Sequence, residues 1–436
     1  NPGQIQRLFK KSFFNNKFGT VTVLTSSSDK TLQEIEITPY RIEKDYKDKR
    51  HPEVVKWAET IQEDLSRRDF TVNAIALSSD LIFEDPYNGK EDIKEKIIKA
   101  VRDPEERFSE DALRMMRAIR FATTLEFKIE PKTQRAIKEN SQSLSLISSE
   151  RIKDELIKII MSDKAFEGIE LLRQLGLLKY IIPELLEGYK VGQNKHHIYD
   201  CYTHSLLSFK YAVEKKFNQY VRLAALLHDI GKPRVKQGHG PNSTFYNHEI
   251  VGAKMTQKIL ERLKFSKKDI EKITKLVRYH LFYYNVGEVS EASVRKLVSR
   301  AGQENMEELL QVRMADRIGS GVPKAEPYKL RHLKYVIEKT SQDPISVKKL
   351  KVSGQDVMDI LKVKPGPKIG QILEILLNKV LLNPDKNKKS LLKKEIKQID
   401  KLSDKEILSL AERAKKERQI VETKRDEMTK RKYWVI

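Results

Sequence analysis

The chain has 436 residues, of which 39% are hydrophobic and 33% charged, and it carries 84 Lys and Arg against 62 Asp and Glu for a net charge of +22. That length accommodates roughly two to four domains with cores of their own, and no stretch approaches the run of about eighteen apolar residues that a membrane span requires. The surplus of positive charge calls for a polyanionic partner, nucleic acid or acidic membrane, although a basic solubilising surface satisfies it equally.

The first residue is Asn1 rather than Met, and Ile5, Leu8 and Phe9 already mark one helical face, so the expectation is a chain that starts inside a domain. The opening shows no apolar core followed by a cleavage site, so no signal peptide is read there. FGTVTVL (18–24) and LQEIEITPYR (32–41) alternate like strands around a turn at Ser26 to Lys30. FTVNAIAL (70–77) is a further strand-like run, followed by the Asp-Pro and Asn-Gly turn signals of EDPYNG. From Ile93 onward helical periodicity dominates, punctuated by Pro104 and Pro131, with breaks at 187–197 and 342–357. KPGPKIG (364–370) reads either as a turn beside RNA or as a stiff connector, and from about Asp400 the chain is rich in Lys, Glu and Arg, a solvated face by default. The fold predicted is mainly α with a small α+β N-terminal module. The lone cysteine, Cys201, cannot form an internal disulfide, which fits a reducing cytoplasm.

Two segments carry nucleotide chemistry. RRDFTVNA (67–74) groups Arg67, Arg68, Asp69 and Asn73; guanidinium groups suit triphosphate oxygens, while Asp and Asn suit ribose hydroxyls. EDALRMMRAIRF (110–121) places Asp111 and Arg114 three apart, with Arg117 and Arg120 continuing the basic ribbon. An aspartate accepts from the exocyclic amine of cytosine or adenine, and a neighbouring guanidinium donates to the ring nitrogen beside it. Uracil and guanine present the opposite groups there. Taken singly, each segment is as readily an ordinary cap or i,i+3 salt bridge.

In the order FGTVTV, EIEITPYR, RRDFTVNAIA, DPYNG, EDALRMMRAIRFA and SSERIKDEL, these segments resemble the class II CCA-adding enzymes and bacterial poly(A) polymerases. The resemblance implies a partial nucleotidyltransferase head at 1–98, neck and body helices at 99–190, and a basic helical region at 341–436. It implies sugar and triphosphate contacts from Arg67, Arg68, Asp69 and Asn73, and base selection by Asp111 and Arg114 with Arg117 and Arg120 assisting. It further implies a loop near the site at Phe18, Gly19 and Thr20, and a supporting helix around Glu150 and Arg151. Its partners would be tRNA, CTP and ATP, and its ion Mg²⁺.

The family's Gly-Gly-x-Val-Arg-Asp stretch and its metal-holding Asp-x-Asp pair do not stand in this sequence; Glu34 and Glu36 are the strand carboxylates that remain, with Glu36 as an accessory candidate. Two-metal phosphoryl transfer depends on such a pair. The expectation is therefore weak nucleotide binding and almost no transfer by these 436 residues.

Behind this lies an ordered set of ligand-type residues: His204, His228 with Asp229, His248, His280 and Asp316. Imidazole and carboxylate groups from several helices suit a divalent transition metal with positions left open for water. His51, His196, His197, His239 and His332 are read as ordinary surface or core histidines. The set resembles the HD superfamily of metal-dependent phosphohydrolases, which implies an HD domain at 191–340, an ion such as Mn²⁺ or Ni²⁺, and phosphohydrolase chemistry. Lys232 either faces a phosphate or caps a helix.

The leading reading is a cytoplasmic tRNA nucleotidyltransferase with an appended HD domain and no membrane partner. The alternatives are a poly(A) polymerase, and an HD phosphohydrolase or tRNA-binding protein whose front half is not catalytic.

Overall fold

The computed structural model describes residues 2–14, 19–46, 52–194, 198–322, 325–341, 347 and 350–435. Asn1, Phe18, His51, His196 and His197 lie outside the described residues. The chain forms two compact units, Asn1–Phe282 with Asn305–Ala325, and Tyr283–Glu304 with Glu326–Ile436.

The first unit opens with α1 (Pro2–Leu8), which packs on the antiparallel sheet β1 (Ser12–Phe14), β2 (Val21–Leu24) and β3 (Glu34–Ile37). Val21 faces Ile37 and Val23 faces Ile35. Val21, Thr22 and Val23 are all buried, so β2 is covered on both faces rather than on the one that alternation predicts. A second hairpin pairs β4 (Arg41–Tyr46) with β5 (Pro52–Trp57). Helix α2 (Ile61–Ser66) starts at a capping box in which Thr60 and Glu63 satisfy each other's backbone N–H groups.

The strand expected over 70–77 is largely a turn. Thr71–Asn73 form a 3₁₀ turn and only Ala76–Leu77 (β6) pair, with Phe83–Glu84 (β7). The cause is local: the Thr71 hydroxyl donates to Asp92 at 2.7 Å and the Asn73 amide to Asp69 at 3.1 Å. Phe70 and Ala74, four apart, point into the core. Short polar side chains that bond their neighbours favour turns over ladders.

After α3 (Gly89–Lys94) a two-residue strand β8 (Ile97–Ile98) pairs in parallel with β9 (Lys128–Ile129), the one strand pair described within the predicted helical stretch. Between them stand α4 (Pro104–Glu110), with Pro at its first turn, and α5 (Leu113–Leu125). α5 buries Leu113, Met115, Met116, Ala118 and Ile119 and packs on α7 (Ser149–Met161) and α8 (Ala165–Gln174). α6 (Pro131–Asn140), α9 (Leu178–Ile181) and α10 (Pro183–Leu186) complete this region.

A helical bundle follows: α11 (Cys201–Glu214), α12 (Gln219–Leu227), α13 (Lys232–Val235), α14 (His248–Arg262) and α15 (Lys267–Tyr279). Asp200, Asn218 and Ser266 cap α11, α12 and α15. The bundle is seated on the preceding helices without a loose joint at 190/191, since α8 packs on α11 and α7 on α12. Arg222 of α12 is buried and donates to the carbonyls of Ile160 (2.9 Å) and Ser162 (3.1 Å) at the end of α7.

In the second unit α16 (Glu291–Ala301) packs on α18 (Tyr328–Ser341). Between them in the chain, α17 (Met306–Gly319) belongs to the first unit and packs on α11. α19 (Gly354–Leu361), α20 (Pro367–Leu382), α21 (Lys389–Ile399) and α22 (Asp404–Lys432) bury Val357, Ile372, Leu376, Leu392, Ile396 and Ile407 together. α22 buries only Ile407, Ala411, Ala414 and Thr429, and most of its remaining surface is exposed and rich in charged residues. His332 accepts or donates at the Tyr284 hydroxyl (2.6 Å) among tyrosine rings, and His239 is exposed. No described helix is long and apolar enough to cross a membrane.

Candidate functional site

The first cluster forms where the turn at 67–73 meets α4 and α5. Asp64, 3% exposed, accepts from Arg67 through Nε (3.0 Å) and Nη2 (2.7 Å) and from Arg68 Nη2 (2.9 Å). Burial opposes its charge, but the two guanidinium groups hold its carboxyl below the usual carboxylate value. Asp69 accepts from Asn73 and its own neighbour Phe70 N–H, and pairs with Arg117 at 2.6 Å. Glu110 pairs with Arg107 and with Arg114 (2.5 Å), while Arg114 also donates to the carbonyls of Arg107 and Arg67 at 3.2 Å. Arg120 pairs with buried Glu155 at 2.8 Å, and burial lowers its pKa. The Phe121 ring underlies Arg117 and Arg120, with centroid distances of 5.3 and 4.1 Å.

Asp111 departs from expectation. It is not on a helix with Arg114: it stands in extended conformation (φ −142°, ψ 103°) between α4 and α5. Its Oδ1 accepts from Leu113 N–H at 3.0 Å, an aspartate turn that ends one helix and starts the next. Its partner is Arg151 of α7, at 2.7 Å, rather than Arg114. Asp111 and Arg120 are thus anchored from outside their own segment, by Arg151 and Glu155 of the helix expected to support them. Glu150 lies in the first turn of that helix. Glu36 lies on β3 opposite Thr22, and Glu34 and Glu36 are both exposed. Gly19 has φ +82° and Thr20 is buried, its hydroxyl 3.1 Å from that of Thr38.

Asp64, Arg107, Glu110 and Glu155 were missed by sequence reasoning. Asp64 three and four residues before Arg67 and Arg68, and Glu110 four before Arg114, were available signals; the partners of Arg117 and Arg120 were not, because those pairs join distant segments.

The second cluster gathers all six histidine and aspartate candidates. His204 comes from α11, His228 and Asp229 from the end of α12, His248 from the start of α14, His280 from the end of α15 and Asp316 from α17. His204 Nε2 lies 3.0 Å from Asp229 and 3.4 Å from Asp316; His228 Nε2 lies 3.2 and 3.6 Å from the same two carboxylates. Asp229 also faces His248 (3.3 Å) and His280 (3.7 Å).

Two glycines permit this convergence. A Cβ at Gly231 would meet the His248 carbonyl at 2.4 Å and Gly252 N at 2.6 Å, so only glycine lets α14 approach. A Cβ at Gly319 would meet the Ser208 hydroxyl at 2.0 Å, where α17 crosses α11.

The hydrogen bonds orient the rings. Nδ1 of His228, His248 and His280 faces the carbonyl three residues earlier, Ala225 (2.8 Å), Phe245 (2.7 Å) and Val277 (2.7 Å), and must donate to it. Nε2 is left pointing inward as a ligand nitrogen. The Nε2 atoms of His204 and His228 stand 2.9 Å apart, a spacing at which one carries a proton or both share a cation.

Burial opposes a charge on His204 and His228, but Asp229 and Asp316 outweigh it, raising His204 and pushing His228 up to about 10. Burial pushes His280 down to about 3. Burial also opposes the Asp229 charge, which the His228 and Lys232 cations hold well below the carboxylate range. His204, His228 and Asp316, and likewise His228, Asp229 and His280, bring ligand atoms within 4.8 Å of one another. The donor set and its orientation fit a divalent ion.

Lys232 is buried, paired with Asp229 at 2.6 Å and bonded to Gln193 at 2.6 Å, so it serves the cluster rather than capping by its side chain. Arg313 holds the other oxygen of Asp316 at 2.6 Å. A cavity of about 860 Å³ opens beside these groups, lined also by Arg317, Phe245 and Tyr246. Gln193, Arg313 and Arg317 carry no sequence motif that would have singled them out.

Head, helical body and bundle match three families in turn. Residues 1–99 match the poly A polymerase head domain, 126–188 the probable RNA- and SrmB-binding site of polymerase A, and 201–320 the HD domain. An A-adding tRNA nucleotidyltransferase of Deinococcus radiodurans is 34% identical over 330 residues, covering 72% of this chain and 74% of that protein. A CCA-adding enzyme of Ligilactobacillus salivarius is 31% identical over 407 residues, covering 91% and 86%. The chain belongs to this tRNA nucleotidyltransferase family. The crystal structure of the Bacillus stearothermophilus CCA-adding enzyme in complex with CTP shares the fold, with a TM-score of 0.52 at 23% identity over 92% of this chain and 86% of that one.

Proposed function

We propose that this chain serves 3′-end maturation of tRNA by selecting CTP and ATP for addition without a nucleic-acid template. The observation that carries the reading is the arginine–carboxylate cluster, in which Asp111 is held by Arg151 and Arg114 by Glu110. A cytosine or adenine amine donates to Asp111 in partial exchange for Arg151, while Arg114 donates to the ring nitrogen. Arg67, Arg68, Asp69 and Asn73 take the sugar and triphosphate, and Arg117 and Arg120 assist. Residues 1–98 act as head, 99–190 as neck and body, 191–340 as HD domain and 341–436 as a basic region that meets RNA backbone. Such work belongs in the cytoplasm.

Transfer itself draws on Mg²⁺ held by paired carboxylates, and the residues here do not fit that pair. The sequence contains no Asp-x-Asp, and among the described residues the head brings no three Asp, Glu, His or Cys ligand atoms together. No transfer step is assigned to them, Glu36 included. The 436-residue chain is expected to bind nucleotide and incorporate almost none; robust CTP and ATP incorporation by it contradicts this. In a version carrying an added Asp-x-Asp strand, a tRNA lacking its CCA end discriminates the addition of CCA from that of A alone or of a poly(A) tract.

The inward nitrogens of the bundle favour a second activity. His204, His228, Asp229, His248, His280 and Asp316 would hold a divalent transition ion such as Mn²⁺ or Ni²⁺. When bound, such an ion supplies an activated water for attack on phosphorus. Lys232, Arg313 and Arg317 set the charge of the cavity for a phosphate ester. Mn²⁺- or Ni²⁺-dependent phosphatase activity that vanishes in the His228→Ala, Asp229→Ala double variant supports the activity; none with any divalent metal contradicts it.

A further inference from the structure

A second cavity, of about 660 Å³, lies on the first unit between α8 and α11 and is lined by none of the residues of either cluster. Its floor is apolar, with Phe166, Leu171 and Leu206, and its wall is aromatic. The Tyr189 and Tyr202 rings meet edge to face at 5.7 Å, and the Arg173 guanidinium lies 4.9 Å from the Tyr189 centroid and 5.8 Å from that of Tyr202. Tyr202 is buried, whereas Tyr189 is 42% exposed.

Three polar groups of this groove are engaged with each other, while Glu167, Gln174 and Thr203 also line it. Glu170 accepts from Arg173 Nε (3.1 Å) and Nη2 (3.0 Å) and from the Tyr202 hydroxyl (2.6 Å). What the groove offers a ligand is therefore flat ring faces over an apolar floor. Its rim carries cations: Lys190 Nζ stands 5.5 Å from the Tyr189 centroid and Lys210 Nζ 5.1 Å from that of Phe166.

The two features together select the occupant. The apolar floor refuses a bare phosphate, and the rim repels a cationic peptide. A polyanion that bears flat, uncharged rings satisfies both, by stacking on the aromatic faces and laying its backbone along the lysines. α8 also falls within the segment 126–188 that matches an RNA-binding family, with Tyr189 immediately after it.

We propose that this groove binds one unpaired base of an RNA strand, stacked on Tyr189, with the flanking phosphates at Lys190 and Lys210. Because both Glu170 oxygens are engaged, that carboxylate does not read the base edge, and the base is held chiefly by its face. The proposal rests on the reading that the chain handles tRNA, though not on the nucleotide selectivity of Asp111.

The test uses the full 436-residue chain and a ten-nucleotide oligocytidylate with a single 5-iodocytidine, irradiated and mapped by mass spectrometry. The expected result is a crosslink on the peptide containing Tyr189, retained in Tyr189→Phe and reduced about fivefold or more in Tyr189→Leu. Affinity for the same oligonucleotide made abasic is expected to be unchanged in Tyr189→Leu. Wild-type crosslinks that all map elsewhere overturn the proposal, and this readout needs no variant. So does an unchanged yield in Tyr189→Leu, or an equal loss in Tyr189→Phe. Salt-dependent tRNA binding measured in parallel separates the two failures: if it persists while Tyr189 is silent, the groove assignment falls and the tRNA reading stands.

Discussion

The two clusters of the first unit arrange their buried charges differently. Around α4 and α5 the arginines answer to carboxylates of the same chain: Arg67 and Arg68 to Asp64, Arg114 to Glu110, Arg117 to Asp69, Arg120 to Glu155 and Arg151 to Asp111. Each of these arginines already has a carboxylate partner, so a nucleotide at the proposed site would have to exchange partners. In the helical bundle each of the two buried carboxylates has one cation, Lys232 on Asp229 and Arg313 on Asp316, and also faces imidazoles; His228, His248 and His280 commit Nδ1 to carbonyls, which leaves their Nε2 atoms for a proton or an ion. The first network ties guanidinium groups to carboxylates throughout, whereas the second turns several ligand nitrogens toward one point.

The sharpest way to break this contrast is at Gly231. Gly231→Ala forces backbone apart at the His248 carbonyl and is expected to destabilise the protein by roughly 2 kcal/mol or more. It is also expected to lower divalent-ion affinity at least about tenfold, read by calorimetric titration with Mn²⁺. Retention of both stability and affinity would show that α14 need not approach so closely.

Next in size is Arg222→Ala, which leaves two buried carbonyls without their donor and should cost about 2–3 kcal/mol in chemical denaturation. Arg68→Ala, whose side chain is 43% exposed, should cost less than about 1 kcal/mol. Metal addition comes after these. Mn²⁺ at about 100 times its dissociation constant should stabilise the native state by about 2.7 kcal/mol, with EDTA reversing the rise in melting temperature and His228→Ala, Asp229→Ala abolishing it.

The smallest effect concerns pH. Asp64 titrates below its ordinary value of 3.8, so its contribution is fully present above that value and lost as pH falls through the lower folded one. The wild-type advantage over Asp64→Asn should therefore be flat from pH 5 to 8 and shrink only below about 4. An advantage that declined already at pH 6 would show that the arginines do not hold this carboxylate.

The bundle was the more legible of the two clusters. Metal ligation restricts residue types so strongly that His204, His228, Asp229, His248, His280 and Asp316 stand out before any fold is known, and the structure places them in one cluster. The arginine cluster was legible as a motif but not as a geometry. EDALRMMRAIRF has helical spacing throughout, yet Asp111 bonds the backbone two residues on and splits the helix. Its ion-pair partner there is Arg151, forty residues away. In the same way, alternation in FTVNAIAL predicted a strand, because the pull of Asp69 and Asp92 on Asn73 and Thr71 is invisible to periodicity. What sequence left out in each case was the partner rather than the residue.

The most direct measurement is equilibrium binding of CTP, ATP, UTP and GTP to the wild-type chain and to Asp111→Ala. CTP and ATP are expected to bind about tenfold more tightly than UTP and GTP, within the roughly 1–3 kcal/mol that a paired base contact contributes, and the difference is expected to vanish in Asp111→Ala. Equal affinity of the wild-type chain for all four nucleotides, or undiminished discrimination in the variant, would contradict the assignment of nucleotide selection to Asp111 and Arg114.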